Sequence, residues 1–371
     1  MDPREPCCRT RACRAYGRTG AGHGVIHRRA ERRYPCKRCR RTFAETAGTA
    51  LYRLRTARDE VVVVVTLLAY GCPVQAIVAA FGLDARTVAR WQTRAGAQGR
   101  RVHEPLVQAG RGDLGQVQAD ELRGRSVGGV LWLASASAVP RRPWLGGVVS
   151  AARDGALIRA PLERGRARGP VHAVLLCTDG LASYPRQARR LFRRPAQPGR
   201  RGRPRLTPPA GLLIAHAIKR YTRRRVASVE RRVVRGTAEA IAAALLRTQG
   251  RPTAVITTAS IARLNATCRA RLASRMRRTR AGVHHRDTVD ADLWLVGTVY
   301  NVCRPHGSLR RPHQADAGPS RRWSGRTPAQ AAGLTDHRWS VHELLAYPVP
   351  DVAIKRRGRR PTWLLQAARA A

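Results

Sequence analysis

From Arg58 to Gln98 the apolar positions fall into three blocks that read as helices. The first, from about Arg58 to Tyr70, is rich in β-branched residues, so its pattern also admits a strand. The second runs from about Pro73 to Phe81, with Pro73 in the first turn, where its missing N–H costs nothing. The third runs from about Asp84 to Gln98, with Asp84 as N-cap and Gly82-Leu83 as the preceding turn. In it Val88 and Trp91 face inward, while Arg86, Thr87, Arg90 and Arg94 face outward. A short turn followed by such a helix is the pattern of a helix-turn-helix, and a plain helical bundle with a solvated Arg face is the alternative.

The pattern changes from position 105 onward. Gln116 to Leu122, Ser126 to Val139 and Trp144 to Ser150 read as strands of an antiparallel meander. Asp154 to Arg168 alternates apolar and basic residues at helical spacing. His172 to Gly180 is an apolar strand ending in a carboxylate, which suggests a central parallel strand under helices, and a helix from Leu181 to Phe192 follows. Residues 193–210 form a Pro/Gly/Arg loop, and Leu212 to Ile218 returns as a strand. Lys219 to Arg235 is dense in Arg. Thr237 to Leu246, Ser260 to Arg275 and Thr288 to Tyr300 read as helices, and the tail after Pro305 is Pro/Arg-rich, with an amphipathic piece at Val341 to Leu345. Val61 to Leu83 carries no charge and is long enough to cross a bilayer, but Gly71-Cys72-Pro73 breaks it, so two short helices are expected and no membrane span.

Composition sharpens this outline. A chain of 371 residues allows about two to four domains. Its formal net charge is +48, and all but three of its 71 basic residues are Arg, the exceptions being Lys37, Lys219 and Lys355. A GC-rich genome accounts for part of the Arg excess but not for the scarcity of carboxylates. So large a charge calls for a polyphosphate partner. Aromatic residues make up only 5%, which disfavours RNA recognition by base stacking. Arg201-Gly202-Arg203-Pro204 resembles the core of an AT-hook, which lies in an A·T minor groove.

Nine Cys, an odd number, argue against a secreted disulfide framework, and no signal peptide opens the chain. Four of them, Cys8, Cys13, Cys36 and Cys39, have the spacing of two metal-binding turns closing a structural zinc site. Cys7 competes with Cys8, and His23 and His27 are spare ligands. Asp120 and Asp179 stand out as carboxylates within apolar strands. Two carboxylates meeting at the strand ends of an α/β sheet suggest a divalent metal site for phosphoryl transfer. A turn role for Asp120 and a helix N-cap role for Asp179 are the alternatives.

Five stretches then resemble a known family. They are Asp120-Glu121-Leu122, Cys177 to Tyr184, Lys219-Arg220-Tyr221-Thr222, Ile261 to Thr267, and Tyr300 to Leu309. Together with the order of Cys pairs, helix-turn-helix and strand-rich core, they resemble insertion-sequence transposases of the DDE class, closest to the insertion-element-one group, over roughly residues 8 to 350. The resemblance implies an α/β fold in which an RNase H-like mixed-sheet catalytic domain follows a small zinc ribbon and an all-α helix-turn-helix. It divides the chain into a ribbon at 1–50, a helix-turn-helix at 58–104, a catalytic domain at 105–309 with a basic insertion at 193–235, and a basic tail at 310–371. It implies end binding, Mg²⁺-dependent 3′-end cleavage and strand transfer on double-stranded DNA, as a homo-oligomer in the cytoplasm, associated with the nucleoid.

The resemblance places the first two catalytic carboxylates on Asp120 and Asp179, with two Mg²⁺ ions between them. The third belongs where this chain reads Ala262, and Glu230 is the nearby substitute. Arg86, Arg90, Arg94, Arg201 and Arg203 are the expected DNA contacts. With Ala262 in place, cleavage by this chain is expected to be impaired, and the rival expectation is a non-catalytic DNA-binding protein.

Overall fold

The computed structural model describes residues 8, 10, 12–18, 32–109, 114–126, 129–167, 173–196, 205–223, 225–272, 285–312 and 323–349. The chain opens on a small hairpin, β1 (Arg33–Pro35) and β2 (Thr42–Ala44), packed on the Cys-rich segment. Three helices follow: α1 (Arg58–Ala69), α2 (Val74–Phe81) and α3 (Ala85–Ala109). The β-branched run is therefore helical. Its valines meet a core on one side, with Val61, Val64 and Val65 buried, and tertiary packing overrides a weak propensity. The apolar run of 61–83 breaks at Gly71, whose φ of 89° suits only glycine. Among the described residues no helix is long and apolar enough to cross a membrane.

Asp84 caps α3 as its sequence predicts, its Oδ1 accepting from the N–H groups of Arg86 and Thr87 at 2.9 and 3.1 Å. The helix does not stop near Gln98 but continues to Ala109. The extension is possible because α3 lies along a later helix, α8 (Arg286–Val302). Gly96 and Gly99 let the two backbones approach. Thr298 on α8 donates its hydroxyl to the Gly99 carbonyl at 3.1 Å.

The middle of the chain builds a sheet: β3 (Gly115–Ser126), β4 (Gly129–Ala138), β5 (Trp144–Ser150), then helix α4 (Gly155–Arg166), strand β6 (Val174–Thr178) and helix α5 (Ser183–Leu191). Next come a two-residue pair, β7 (Arg194–Pro195) with β8 (Leu206–Thr207), and a long hairpin, β9 (Leu212–Thr222) and β10 (Arg225–Arg235). Helices α6 (Ala238–Gln249), α7 (Ala259–Arg271) and α8 follow, then strands β11 (His306–Pro312) and β12 (Trp323–Arg326), and short helices α9 (Pro328–Ala331) and α10 (Val341–Ala346).

Six strands form one mixed sheet in the order β10-β9-β6-β3-β4-β5. The meander β3-β4-β5 is antiparallel, β3, β6 and β9 run parallel, and β10 returns antiparallel on the outer edge. The architecture is mixed α/β, as expected. The Arg-dense segment at 219–235, for which the sequence predicts no element, is the hairpin arm. Alternation sends Val117, Ala119, Leu176 and Ile214 to one face, under α4 and α5. Leu175, Cys177, Leu213 and Ala215 go to the other face, under α6, and Leu122 and Leu133 join α7 and α8 there.

The N-terminal helices do not stand apart from the rest. Val64, Val88 and Trp91 share one core with Leu295 and Val299 of α8 and with Leu344 and Leu345 of α10. Gln98 of α3 ties this core shut by donating to the carbonyls of Leu344 and Tyr347 at 3.3 and 2.6 Å.

Candidate metal centre and carboxylate site

The four cysteines predicted from spacing converge. The Sγ atoms of Cys8, Cys13, Cys36 and Cys39 lie within 4.8 Å of one another, with Cys8–Cys39 at 3.7 Å and Cys13–Cys36 at 3.8 Å. Ligands about 2.3 Å from a tetrahedral zinc stand roughly 3.8 Å apart, so the spacing fits such an ion. Turn amides point at the sulfurs, Thr10 N–H at Cys8 and Ala15 N–H at Cys13, at 3.5 and 3.4 Å. The Arg41 N–H pulls the Cys39 thiol down to about 6, toward the thiolate a metal needs, whereas burial pushes Cys8 up to about 12. Among the described residues this is the only such group of three or more metal-ligating side chains. Cys7, His23 and His27 lie outside the described residues.

Asp120 sits near the middle of β3, and Asp179 follows the end of the adjacent parallel strand β6. Asp120 feels the charge of Asp179. Burial first, then the charges of Asp179 and Glu121, push the Asp120 carboxyl up to about 6. Burial also raises Asp179, against the Leu181 N–H that its Oδ1 accepts at 3.1 Å. Among the described residues neither forms a salt bridge. Gln118, two residues before Asp120, anchors α7 above the sheet. It donates to the Thr257 carbonyl at 2.7 Å and accepts the Ile261 N–H at 3.0 Å. That anchoring brings Asn265 over β3, where its Nδ2 donates to Asp120 Oδ2 at 2.8 Å. The Oδ1 of Asn265 is buried with no hydrogen-bond partner. Ala262 lies three residues earlier, hence on the same side of α7.

Glu121 points to the opposite face and is ion-paired and hydrogen-bonded there. Arg153 donates to its Oε1, through Nε at 2.9 Å, and the buried Tyr184 hydroxyl donates to its Oε2 at 2.8 Å. Glu230 lies on edge strand β10, held by Arg232 and Arg220 at 2.6 and 3.4 Å, and chiefly Arg232 draws its carboxyl below the ordinary range.

Of the arginines, Arg86 and Arg90 are exposed on the first turns of α3. Arg94 is half-buried and donates to the Tyr52 carbonyl, closing a basic cleft of about 480 Å³ that Arg53, Arg55 and Arg90 also line. Arg201 and Arg203 lie outside the described residues.

Sequence reasoning missed the Arg153–Glu121–Tyr184 network and the pairing of Asn265 with Asp120, both of which join segments far apart in the chain. It also missed His216 on β9, whose one signal is a polar residue in an otherwise apolar strand. No protein-family model and no curated protein matches this sequence.

Proposed function

We propose that this chain is a DNA transposase of the DDE class whose third carboxylate has been replaced. The observation that carries the reading is the meeting of Asp120 and Asp179 on neighbouring parallel strands, with α7 laid over them and Ala262 one helical turn from Asn265. The strand order, an antiparallel meander joined to parallel strands with helices on both faces, supports an RNase H-like core. The short turn between α2 and the exposed arginines of α3 supports a helix-turn-helix, and the four-cysteine cluster supports a zinc ribbon.

The carboxylate site suits a divalent cation. Burial raises both acids, the Asp179 charge raises Asp120 further, neither acid is in a salt bridge among the described residues, and the orphaned amide oxygen of Asn265 lies on the side chain that holds Asp120. Bound Mg²⁺ would polarise a phosphodiester and activate the attacking oxygen. Asp120 and Asp179 would hold it. Asn265 fixes the orientation of the Asp120 carboxylate, and the Leu181 N–H fixes that of Asp179. Arg153 and Tyr184 hold Glu121 on the other face, so its carboxylate is engaged there while its charge still raises both Asp120 and Asp179.

Ala262 offers no ligand, so the chain is expected to bind DNA and barely cut it. This absence favours a second reading, a non-catalytic DNA-binding protein that occupies element ends. The test is 3′-end cleavage, with Mg²⁺, of labelled duplexes taken from the sequences flanking the gene. Cleavage that appears with Ala262→Glu supports the first reading. No cleavage, together with binding to flanking inverted repeats, supports the second. Robust cutting by the unmodified chain, lost on Glu230→Gln, would reassign the third ligand to Glu230.

A further inference from the structure

A second basic groove, of about 680 Å³, lies between α5 and the β9–β10 hairpin. Arg189 and Arg190 lie three and four residues after Arg186 on α5, so these three share one face, and Arg193, two residues past the helix end, lines the same groove. Arg232 of β10 faces them across the groove. Among the described residues no carboxylate lines it. Arg189 and Arg193 donate to the carbonyls of Val234 and Arg190, and Arg232 is held by Glu230, which lies outside the lining. Arg186 and Arg190 are exposed and make no ion pair among the described residues.

Stacking like charges at these spacings disfavours the helix, so a solvated face alone does not account for the arrangement. The third partner in the groove is His216, only 6% exposed, whose buried Nε2 has no hydrogen-bond partner. Gly180, next to Asp179 in the chain, also lines it. The groove thus combines five arginines, an orphaned imidazole nitrogen and a lining residue, Gly180, adjacent in the chain to Asp179.

We infer that this groove is a second DNA contact, holding backbone phosphates of a strand that passes beside Asp179, with Arg186 and Arg190 neutralising them and His216 Nε2 hydrogen-bonding a phosphate oxygen. The inference rests on the DNA-binding part of the proposed function and not on its chemistry. Cleavage results with Ala262→Glu therefore leave it untouched, and its own failure leaves the carboxylate site untouched.

The experiment is fluorescence anisotropy of the full chain with a labelled random-sequence duplex across a salt series. Each lost phosphate contact lowers the slope of log affinity against log salt by about 0.9. Arg186→Gln with Arg190→Gln is expected to lower it by about 1.8 and to weaken binding roughly tenfold or more at physiological salt. Both side chains are exposed and like-charged at i, i+4, so the thermal midpoint of the double variant should equal or exceed the wild type. Arg159→Gln, on α4 and paired with Glu163, serves as the control and should leave the slope unchanged. His216→Leu should weaken binding while His216→Gln, which keeps a donor, retains it. An unchanged slope and affinity in the double variant would overturn the proposal. Lost binding to anionic lipid vesicles with DNA binding intact would overturn it in favour of a membrane surface.

Discussion

Asp120 pays no electrostatic cost when protonated and a real one when ionised, because burial and Asp179 both oppose its charge. Its carboxyl is raised to about 6 in the fold, against about 3.9 in an unfolded chain. The folded state therefore binds the proton more tightly, and stability present below pH 4 is lost as pH rises to about 6. Asp120→Asn keeps an acceptor for Asn265 and removes the penalty. It is expected to stabilise the metal-free protein at pH 7.5 by about 1–3 kcal/mol, and by nothing at pH 4. Denaturant melts at both pH values check this, and equal effects at the two would show that charge is not the cause. The cysteine cluster yields a second expectation. Cobalt should give thiolate absorption bands, lost in Cys36→Ser/Cys39→Ser, and an unchanged spectrum would move the ligands elsewhere. Spacing and scarcity made these residues legible: thiols pair along a turn, and few acids lie in apolar strands. The partners Asn265, Tyr184 and Arg153 were not legible, since each meets its acid only after the sheet and its covering helices assemble.

At the scale of elements, local pattern set the type of helices and strands where a face is buried, as for β5, found at the predicted Trp144 to Ser150. It failed where contacts lie outside the local window. The end of α3 depends on α8, almost two hundred positions later, and β10 carries too few buried apolar residues to alternate visibly. The α3–α8 contact itself invites a test. Gly→Ala inside a helix ordinarily gains about 1 kcal/mol. At Gly96, however, a Cβ would overlap the backbone of Ala291, which has no flexible end to move aside. Overpacking costs typically 1–3 kcal/mol, so the clash outweighs the propensity. Gly96→Ala should lower the thermal midpoint by several degrees, while the same change at Gly82 strains only a turn. A midpoint raised by Gly96→Ala would show that the helices are not in contact.

Across the whole molecule, a charge of +48 supplies affinity for any polyanion and says little about which one. On the proposed function, discrimination must come from a few side chains at the exposed start of α3. Arg90→Ala should lower affinity for the flanking repeat more than for random duplex, since base contacts specify and phosphate contacts do not. Equal losses on both duplexes would assign Arg90 to the backbone. The shared core of α1, α3, α8 and α10 adds a further constraint. With 25 residues at about 1.5 Å each, α3 is a rod of about 37 Å, close to one turn of B-form DNA. Its outer end carries the candidate reading surface and its inner end is clamped to the helix that also packs on the sheet. A rod clamped this way works as a ruler, not a tether. On the proposed function, the distance from the bases read to the bond approached is then a property of the folded protein, so adding base pairs between them would present the wrong phosphate instead of stretching a linker.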